Sequence, residues 1–257
     1  MTHNFGRGTV VMRSFVFMCA VLLESLALHA AEKCSAEVKM LLSSPIQTTV
    51  TSLSFENKTT GQVYFFDTDE LDLLKQGVIV RVRQGADNDL TVKVRVPEDN
   101  KQTEIAQLRG RFPCEINQTG SGKDTDYSVR RDYKALQLPK TGSDLSRFLS
   151  PTQKRLLHEA GVSIDWAQVK RVVDVNVTKW ETTAQSPFRK LTLELWEWPE
   201  GKILELSTKV APDAGISMYA DLQRLAGTKG LSLSTSQGAK TSTVLGETVT
   251  HHASPPR

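Results

Sequence analysis

The sequence lacks several features that mark common classes of protein. Its 257 residues include only 3 cysteines and 7% aromatic residues, and the formal net charge is +3. Because so small a net charge creates no overall positive field, nucleic acid is not the expected partner. The chain contains no G-x-x-x-x-G-K-[ST] loop, no G-x-S-x-G elbow and no paired C-x-x-C motif. These absences argue against P-loop nucleotide hydrolases, serine hydrolases and structural zinc domains.

The chain has one long apolar run, which lies near its start. Arg7 and Arg13 precede this mostly apolar stretch over residues 15–28, and small residues follow it. A positive segment, an apolar segment and small residues are typical of a secretory signal peptide. The alternative, a transmembrane anchor, is disfavoured because the run is shorter than the roughly 20 residues that span a bilayer. We predict a signal peptide over residues 1–30, an exported protein that is periplasmic or secreted, and no stable membrane insertion after cleavage.

Two cysteines remain in the predicted mature chain. Cys19 lies inside the signal peptide, whereas Cys34 and Cys114 lie beyond it. An even number of cysteines in an oxidising compartment is compatible with a disulfide. The alternative is a pair of unpaired thiols facing apolar neighbours. The sequence leaves both open.

The predicted mature domain, residues 31–245, is rich in strands that alternate polar and apolar residues. Such alternation places charged side chains on one face of a strand and apolar side chains on the other. A charged face usually points to water, but here the pattern recurs from strand to strand. The basic residues on these faces are Lys39, Arg81, Arg83, Lys93 and Arg95. Residues 246–257 are polar and small, which predicts a disordered tail.

If this sheet closes on itself, the charged faces converge on a lumen. A barrel of about eight strands is wide enough to hold one small ligand. Arginine forks and lysine point charges both match phosphate oxygens. The strand pattern therefore predicts a small phosphorylated anion as the partner.

One segment carries a family resemblance. Tyr64 to Arg83 reads YFFDTDELDLLKQGVIVRVR, and a T-x-K pattern follows at Thr91 and Lys93. This segment resembles the signature of the CYTH domain, the triphosphate tunnel metalloenzyme superfamily, which includes inorganic triphosphatases, thiamine triphosphatases and class IV adenylate cyclases. The likeness is clearest over residues 64–93 and continues in order over 35–245. It implies an α+β fold, an antiparallel eight-stranded β-tunnel flanked by helices.

The resemblance and the alternation together give a set of candidate site residues. The predicted phosphate-binding residues are Lys39, Arg81, Arg83, Lys93, Arg95, Lys179, Lys209 and Lys240. The resemblance implies Mg²⁺ or Mn²⁺ as cofactor, held by the carboxylates Glu37, Glu115, Glu194 and Glu205. Of these, Glu37 and Glu205 are the predicted catalytic residues, since the metal they hold would position an attacking water.

The sequence departs from the family pattern at three carboxylate positions. Ser35, Asn117 and Ser207 stand there, whereas the basic residues persist. Fewer carboxylates predict a more positive lumen, which favours anion binding without turnover. Three hypotheses follow: a metal-dependent hydrolase of a triphosphate compound, a non-catalytic binder of polyphosphate or another phosphorylated anion, and a structural tunnel without a ligand.

Overall fold

The computed structural model describes residues 34–97, 107–133, 138–182, 188 and 190–252. The predicted signal peptide lies outside the described residues. Within these ranges, no helix combines the length and the apolar character that crossing a membrane requires.

The described strands form one closed barrel. The nine strands are β1 (Ser35–Leu42), β2 (Thr59–Asp67), β3 (Val78–Gly85), β4 (Asp89–Pro97), β5 (Cys114–Thr119), β6 (Gly122–Asp132), β7 (Lys170–Glu181), β8 (Thr192–Trp198) and β9 (Gly201–Val210). Their order around the barrel is β1-β5-β6-β4-β3-β2-β7-β8-β9, and β9 pairs with β1 to close it.

The predicted tunnel is confirmed, but its predicted strand count and direction are corrected. The described barrel has nine strands instead of eight, and β1 pairs with β5 in parallel, whereas the other neighbours are antiparallel. Parallel neighbours cannot be joined by a short hairpin. Strands β2, β3 and β4 intervene in sequence between β1 and β5, so the chain has ample length to return in the same direction.

Six helices flank the barrel in the described ranges. They are α1 (Ile46–Ser52), α2 (Asp72–Lys75), α3 (Gly142–Phe148), α4 (Pro151–Glu159), α5 (Gly215–Thr228) and α6 (Lys240–His252). Helix α6 corrects the predicted boundary of the tail, because residues 246–252 are helical. The remaining tail, residues 253–257, lies outside the described residues.

The outer face of the barrel is apolar because of the period-two alternation of its strands. Val78, Val80 and Val82 of β3 pack with the apolar face of β4 and with Leu145 of α3 and Leu156 of α4. A second outer cluster joins the apolar faces of β1, β8 and β9 to α5. Because alternate side chains point to opposite faces, the charged residues between these positions face the lumen.

One end of the lumen is filled by apolar side chains. This cluster includes Val63, Phe65, Ile79, Val173, Val175, Trp196 and Trp198 from the strands together with Val244 and Leu245 from α6. The rings of Phe65 and Trp196 lie at a tilted angle to each other, with centroids 5.9 Å apart. Helix α6 is therefore anchored across this end, and Lys240, its first residue, enters the lumen.

A disulfide links Cys34 and Cys114. Their Cα atoms are 4.6 Å apart, within the range that a disulfide spans. The bond lies directly before the Ser35–Glu115 register pair, so it joins the parallel strands β1 and β5. Of the two alternatives that the sequence left open, the structure has the disulfide.

Candidate functional site

A cavity of about 1000 Å³ occupies the lumen. The predicted site residues that line it are Glu37, Lys39, Arg81, Arg83, Lys93, Glu115, Lys179, Glu194, Glu205, Lys209 and Lys240. Arg95 is the one predicted residue that does not line the cavity. The structure thus brings together residues that lie as much as 203 positions apart in the sequence, from Glu37 to Lys240.

Lys39 lies between two carboxylates on one wall of the lumen. Its Nζ is 3.1 Å from Oε2 of Glu37 and 3.5 Å from Oε1 of Glu115, and it also donates to the side-chain oxygen of Asn117. Burial alone would lower the pKa of Lys39, but Glu37 and Glu205 raise it well above the ordinary value. Lys39 is therefore a cation whose charge is already balanced by the protein.

Lys240 occupies an equivalent position between Glu194 and Glu205. Its Nζ donates to Glu194 and, at 2.7 Å, to Oε1 of Glu205, and it lies 4.5 Å from the ring centroid of Trp196. Burial would raise the pKa of Glu194, but Lys240 holds it at about 2. The pKa of Lys240 is raised by the same carboxylates against the effect of its own burial.

Aspartates that the sequence analysis did not single out also face the lumen. Asp126 on β6 is fully buried and accepts hydrogen bonds from Arg95 Nε at 2.8 Å and Lys93 Nζ at 3.1 Å. Asp89, also fully buried, accepts from Arg83 Nε at 2.8 Å. Asp124 lies beside Arg95, 3.6 Å from its Nε.

These aspartates correct the prediction of a more positive lumen. They contribute negative charge that offsets the loss of carboxylates at Ser35, Asn117 and Ser207. The sequence contains a pattern that could have identified Asp124 and Asp126, because they alternate with Thr125 and Tyr127 along β6 and so share one face of the strand. Asp89 follows Asp87 and Asn88, so the sequence pattern assigns it to a turn. In the structure it is the first residue of β4.

Arg81 contacts no acidic partner or hydrogen-bond acceptor among the described residues, in contrast to Lys39, Lys93 and Lys240. Its Nε is buried and has no hydrogen-bond partner there. Burial, followed by repulsion from Arg83, lowers the pKa of Arg81 to about 10, which still leaves the guanidinium charged at neutral pH. A buried charge without a partner is costly, so this position is suited to an incoming anion.

Lys93 has an acidic partner, Asp126, but it shares that partner with Arg95. Burial lowers the pKa of Lys93; Asp126 opposes that effect, and repulsion from Arg81 and Lys39 reinforces it. In the β3–β4 register, Arg81 pairs with Thr91 and Ile79 pairs with Lys93. Arg81 and Lys93 are therefore diagonal neighbours on the lumen face, close enough to contact one anion together.

The carboxylates, as arranged, do not fit a divalent metal site. Among the described residues, no group of three or more His, Cys, Asp or Glu side chains is placed to hold a metal ion. Each predicted metal ligand instead contacts a lysine: Glu37 and Glu115 contact Lys39, and Glu194 and Glu205 contact Lys240. Ser207, at one of the substituted positions, donates its hydroxyl to Glu37 at 2.9 Å and adds no negative charge.

We expect acid to remove a stabilising contribution of Glu194. Its folded-state pKa of about 2 lies below its ordinary value of 4.5, so the contribution is present above pH 4.5 and is lost as the pH falls toward 2. Glu194→Gln should therefore have a lower melting temperature than the natural protein at pH 7, and the gap should narrow at pH 3. Glu56→Gln, at an exposed position, is the control. An equal gap at both pH values would contradict this linkage.

The barrel is similar to solved structures that include two candidate adenylyl cyclases. A candidate adenylyl cyclase from Hippeastrum with a dominant triphosphatase activity matches 81% of this chain and 93% of its own, at 19% identity and a TM-score of 0.57. A candidate adenylate cyclase from Bacillus halodurans matches 81% of this chain and 96% of its own, at 14% identity and a TM-score of 0.51. No family model matches the sequence, and no curated protein matches it. The chain has the CYTH-like tunnel fold, which confirms the resemblance at the level of the fold.

Proposed function

We propose that this CYTH-like tunnel binds a triphosphate or polyphosphate anion, with the guanidinium of Arg81 at the centre of the site. The observation that carries the proposal is the buried Nε of Arg81, which lacks a partner in the described part of the chain. A phosphate group offers paired oxygens that match the fork of a guanidinium. Binding would therefore supply the negative charge that this position lacks.

Further cations support a ligand with more than one phosphate. Lys93 lies diagonal to Arg81, and Lys209 lines the same cavity. Lys179 and Lys190 also line it and share a single carboxylate, Glu181. Cations thus recur along the cavity, an arrangement that suits a linear chain of phosphates better than a single phosphate.

Hydrolysis of a triphosphate is the second candidate function. It is favoured by the triphosphatase activity of the Hippeastrum protein that shares this fold. In this candidate, Glu37 and Glu205 have the catalytic role that the sequence predicts, with Mg²⁺ or Mn²⁺ as the cofactor. The contacts of these carboxylates with Lys39 and Lys240 make binding without turnover the better supported function.

Export remains part of the proposal. The predicted signal peptide would deliver the chain to the periplasm or the exterior. The disulfide between Cys34 and Cys114 supports this placement, because disulfides persist in oxidising compartments and are rare in the cytosol.

Calorimetry and phosphate release, run side by side, test the two candidate functions. The mature chain is titrated with inorganic tripolyphosphate, ATP and longer polyphosphate, and phosphate release is followed with Mg²⁺ or Mn²⁺ present. Saturable binding without release supports the binder, whereas metal-dependent release supports the hydrolase. Failure to bind any of these anions would overturn the proposal and favour a structural tunnel.

Replacing Arg81 should weaken binding without weakening the fold. Hydrogen bonds to charged groups contribute about 1.5–3 kcal/mol, so Arg81→Met should reduce the affinity for tripolyphosphate by about tenfold to a hundredfold. Its melting temperature should stay unchanged or rise, because the variant removes a charge whose buried Nε has no partner among the described residues. Calorimetry and thermal unfolding measure the two effects.

Two further arginines provide the matched controls. Arg95→Met should lower the melting temperature, because Arg95 is bound to Asp126 through both Nε and one terminal nitrogen. Arg147→Met, on the exposed surface of α3, should change neither property. If Arg81→Met destabilised the fold as much as Arg95→Met and bound tripolyphosphate normally, Arg81 would have a structural role instead.

A further inference from the structure

Four carboxylates on four adjacent strands belong to one wall of the lumen. Glu115, Glu37, Glu205 and Glu194 lie on β5, β1, β9 and β8, which are consecutive neighbours in the barrel. Glu194 and Glu205 are direct register partners across β8 and β9. Like charges placed directly opposite each other repel, so this wall requires a cation from some source.

The protein supplies that cation twice, each time as a lysine between two carboxylates. Lys39 contacts Glu37 and Glu115, and Lys240 contacts Glu194 and Glu205. Both ammonium groups are largely sheltered from solvent, with side-chain exposures of 17% and 13%. The four carboxylates of the wall are therefore all in contact with an internal cation.

Both lysines are held in place by the fold. Lys39 belongs to β1 and donates to Asn117 of β5 in addition to its carboxylates. Lys240 begins α6, which is anchored in the barrel by Val244 and Leu245. A divalent ion would have to displace such a lysine from two carboxylates at once, leaving a buried ammonium without partners.

We infer that Lys39 and Lys240 are built-in counterions that replace a divalent metal at this wall, so that the tunnel binds its anion without metal. This inference rests on the proposed binding of a polyphosphate anion. The anion site at Arg81 and Lys93 lies on β3 and β4, and the carboxylate wall lies on other strands. The anion therefore contacts cations of the protein directly, and no metal bridge to the wall is needed.

The first test measures metal dependence on the mature protein. Tripolyphosphate is titrated once in EDTA and once with Mg²⁺ present, and both affinities are expressed for the free anion. The affinity in EDTA should be at least as high as the affinity with Mg²⁺. Mn²⁺ is also titrated alone, and the paramagnetic resonance signal of the free ion measures how much of it is bound. We expect no stoichiometric Mn²⁺ binding below about 1 mM. Binding of the anion only when Mg²⁺ is present, or stoichiometric Mn²⁺ binding at micromolar concentration, would overturn the inference.

The second test removes one counterion and needs no anion. Lys240→Met should gain Mn²⁺ binding at least tenfold tighter than that of the natural protein, because Glu194 and Glu205 lose their cation. Mn²⁺ should also raise the melting temperature of this variant but not that of Lys229→Met, which changes an exposed lysine at the end of α5. Lys39→Met, which frees Glu37 and Glu115, repeats the measurement if Lys240→Met does not fold.

The outcomes separate this inference from the proposed function. Absence of tripolyphosphate binding in every buffer would overturn the proposed function, and the Mn²⁺ titrations would still report on the counterions. Anion binding that strictly requires Mg²⁺ would keep the proposed function and overturn the inference. If neither lysine variant gained Mn²⁺ binding or a shift in melting temperature, Lys39 and Lys240 would not be replacing a metal.

Discussion

Asp126→Asn is expected to lower the free energy of unfolding by about 3–5 kcal/mol, the range seen when one partner of a buried ion pair is removed. Asp126 is fully buried and accepts hydrogen bonds from Arg95 and Lys93. Burial would raise the pKa of Asp126, but Lys93 and Arg95 hold it well below its ordinary value. Asparagine keeps the shape but leaves the two cations without a buried negative charge. Urea unfolding at neutral pH measures the change.

The matched control is an aspartate in an exposed ion pair. Asp221 on α5 lies 2.6 Å from Arg224, whose side chain is 71% exposed. Surface pairs of this kind contribute about 0–1 kcal/mol, so Asp221→Asn should move the urea midpoint only slightly. Equal shifts for the two variants would mean that the buried network around Asp126 contributes no more to stability than a surface pair.

Removal of the disulfide is expected to have an effect of similar size. The bond between Cys34 and Cys114 closes a loop with a sequence separation of 80 residues. In the chain-entropy description, cross-linking a loop of that length stabilises the folded state by about 4 kcal/mol, because it restricts the unfolded chain. The double variant Cys34→Ser, Cys114→Ser should therefore unfold at a clearly lower urea concentration than the oxidised natural protein.

Reduction provides an internal check on this prediction. The natural protein in a strong reductant should approach the urea midpoint of the double serine variant, whereas the variant itself should not respond to the reductant. If the oxidised and reduced natural proteins unfolded at the same midpoint, the bond would not stabilise the fold. Anion binding should change less than stability, because the disulfide joins β1 and β5, whereas Arg81 and Lys93 lie on β3 and β4.

Much of the barrel could be predicted from local sequence, because alternation is a property of each strand alone. Strands β1, β3, β4 and β9 show it clearly, and the structure places their charged faces in the lumen. Strand β5 is short, and its position beside β1 depends on a parallel pairing that a local pattern cannot reveal. This parallel pairing is why the predicted antiparallel direction was wrong for one pair, whereas the count of eight strands was implied by the family resemblance.

The state of each site residue depends on which strands become neighbours. Arg81 and Arg95 are equivalent in the sequence, since both alternate with valines on the same basic hairpin. In the barrel, Arg95 pairs with Asp126 across β4 and β6, whereas Arg81 lies between Phe65 and Thr91. Arg95 is paired with a carboxylate, whereas Arg81 has no acidic partner in the part of the chain that the structure describes. Strand order decides this difference, and alternation alone does not encode it.

Helix α6 also determines how a long ligand can occupy the barrel. Val244 and Leu245 belong to the apolar cluster that fills one end of the lumen, and a polyphosphate that passed this end would have to bury its charges against apolar side chains. A linear polyphosphate would have to enter end first, with most of its length left outside. For such a ligand, saturation of the protein depends on the concentration of chain ends. At a fixed total concentration of phosphate units, shorter chains offer more ends and therefore saturate the protein more fully.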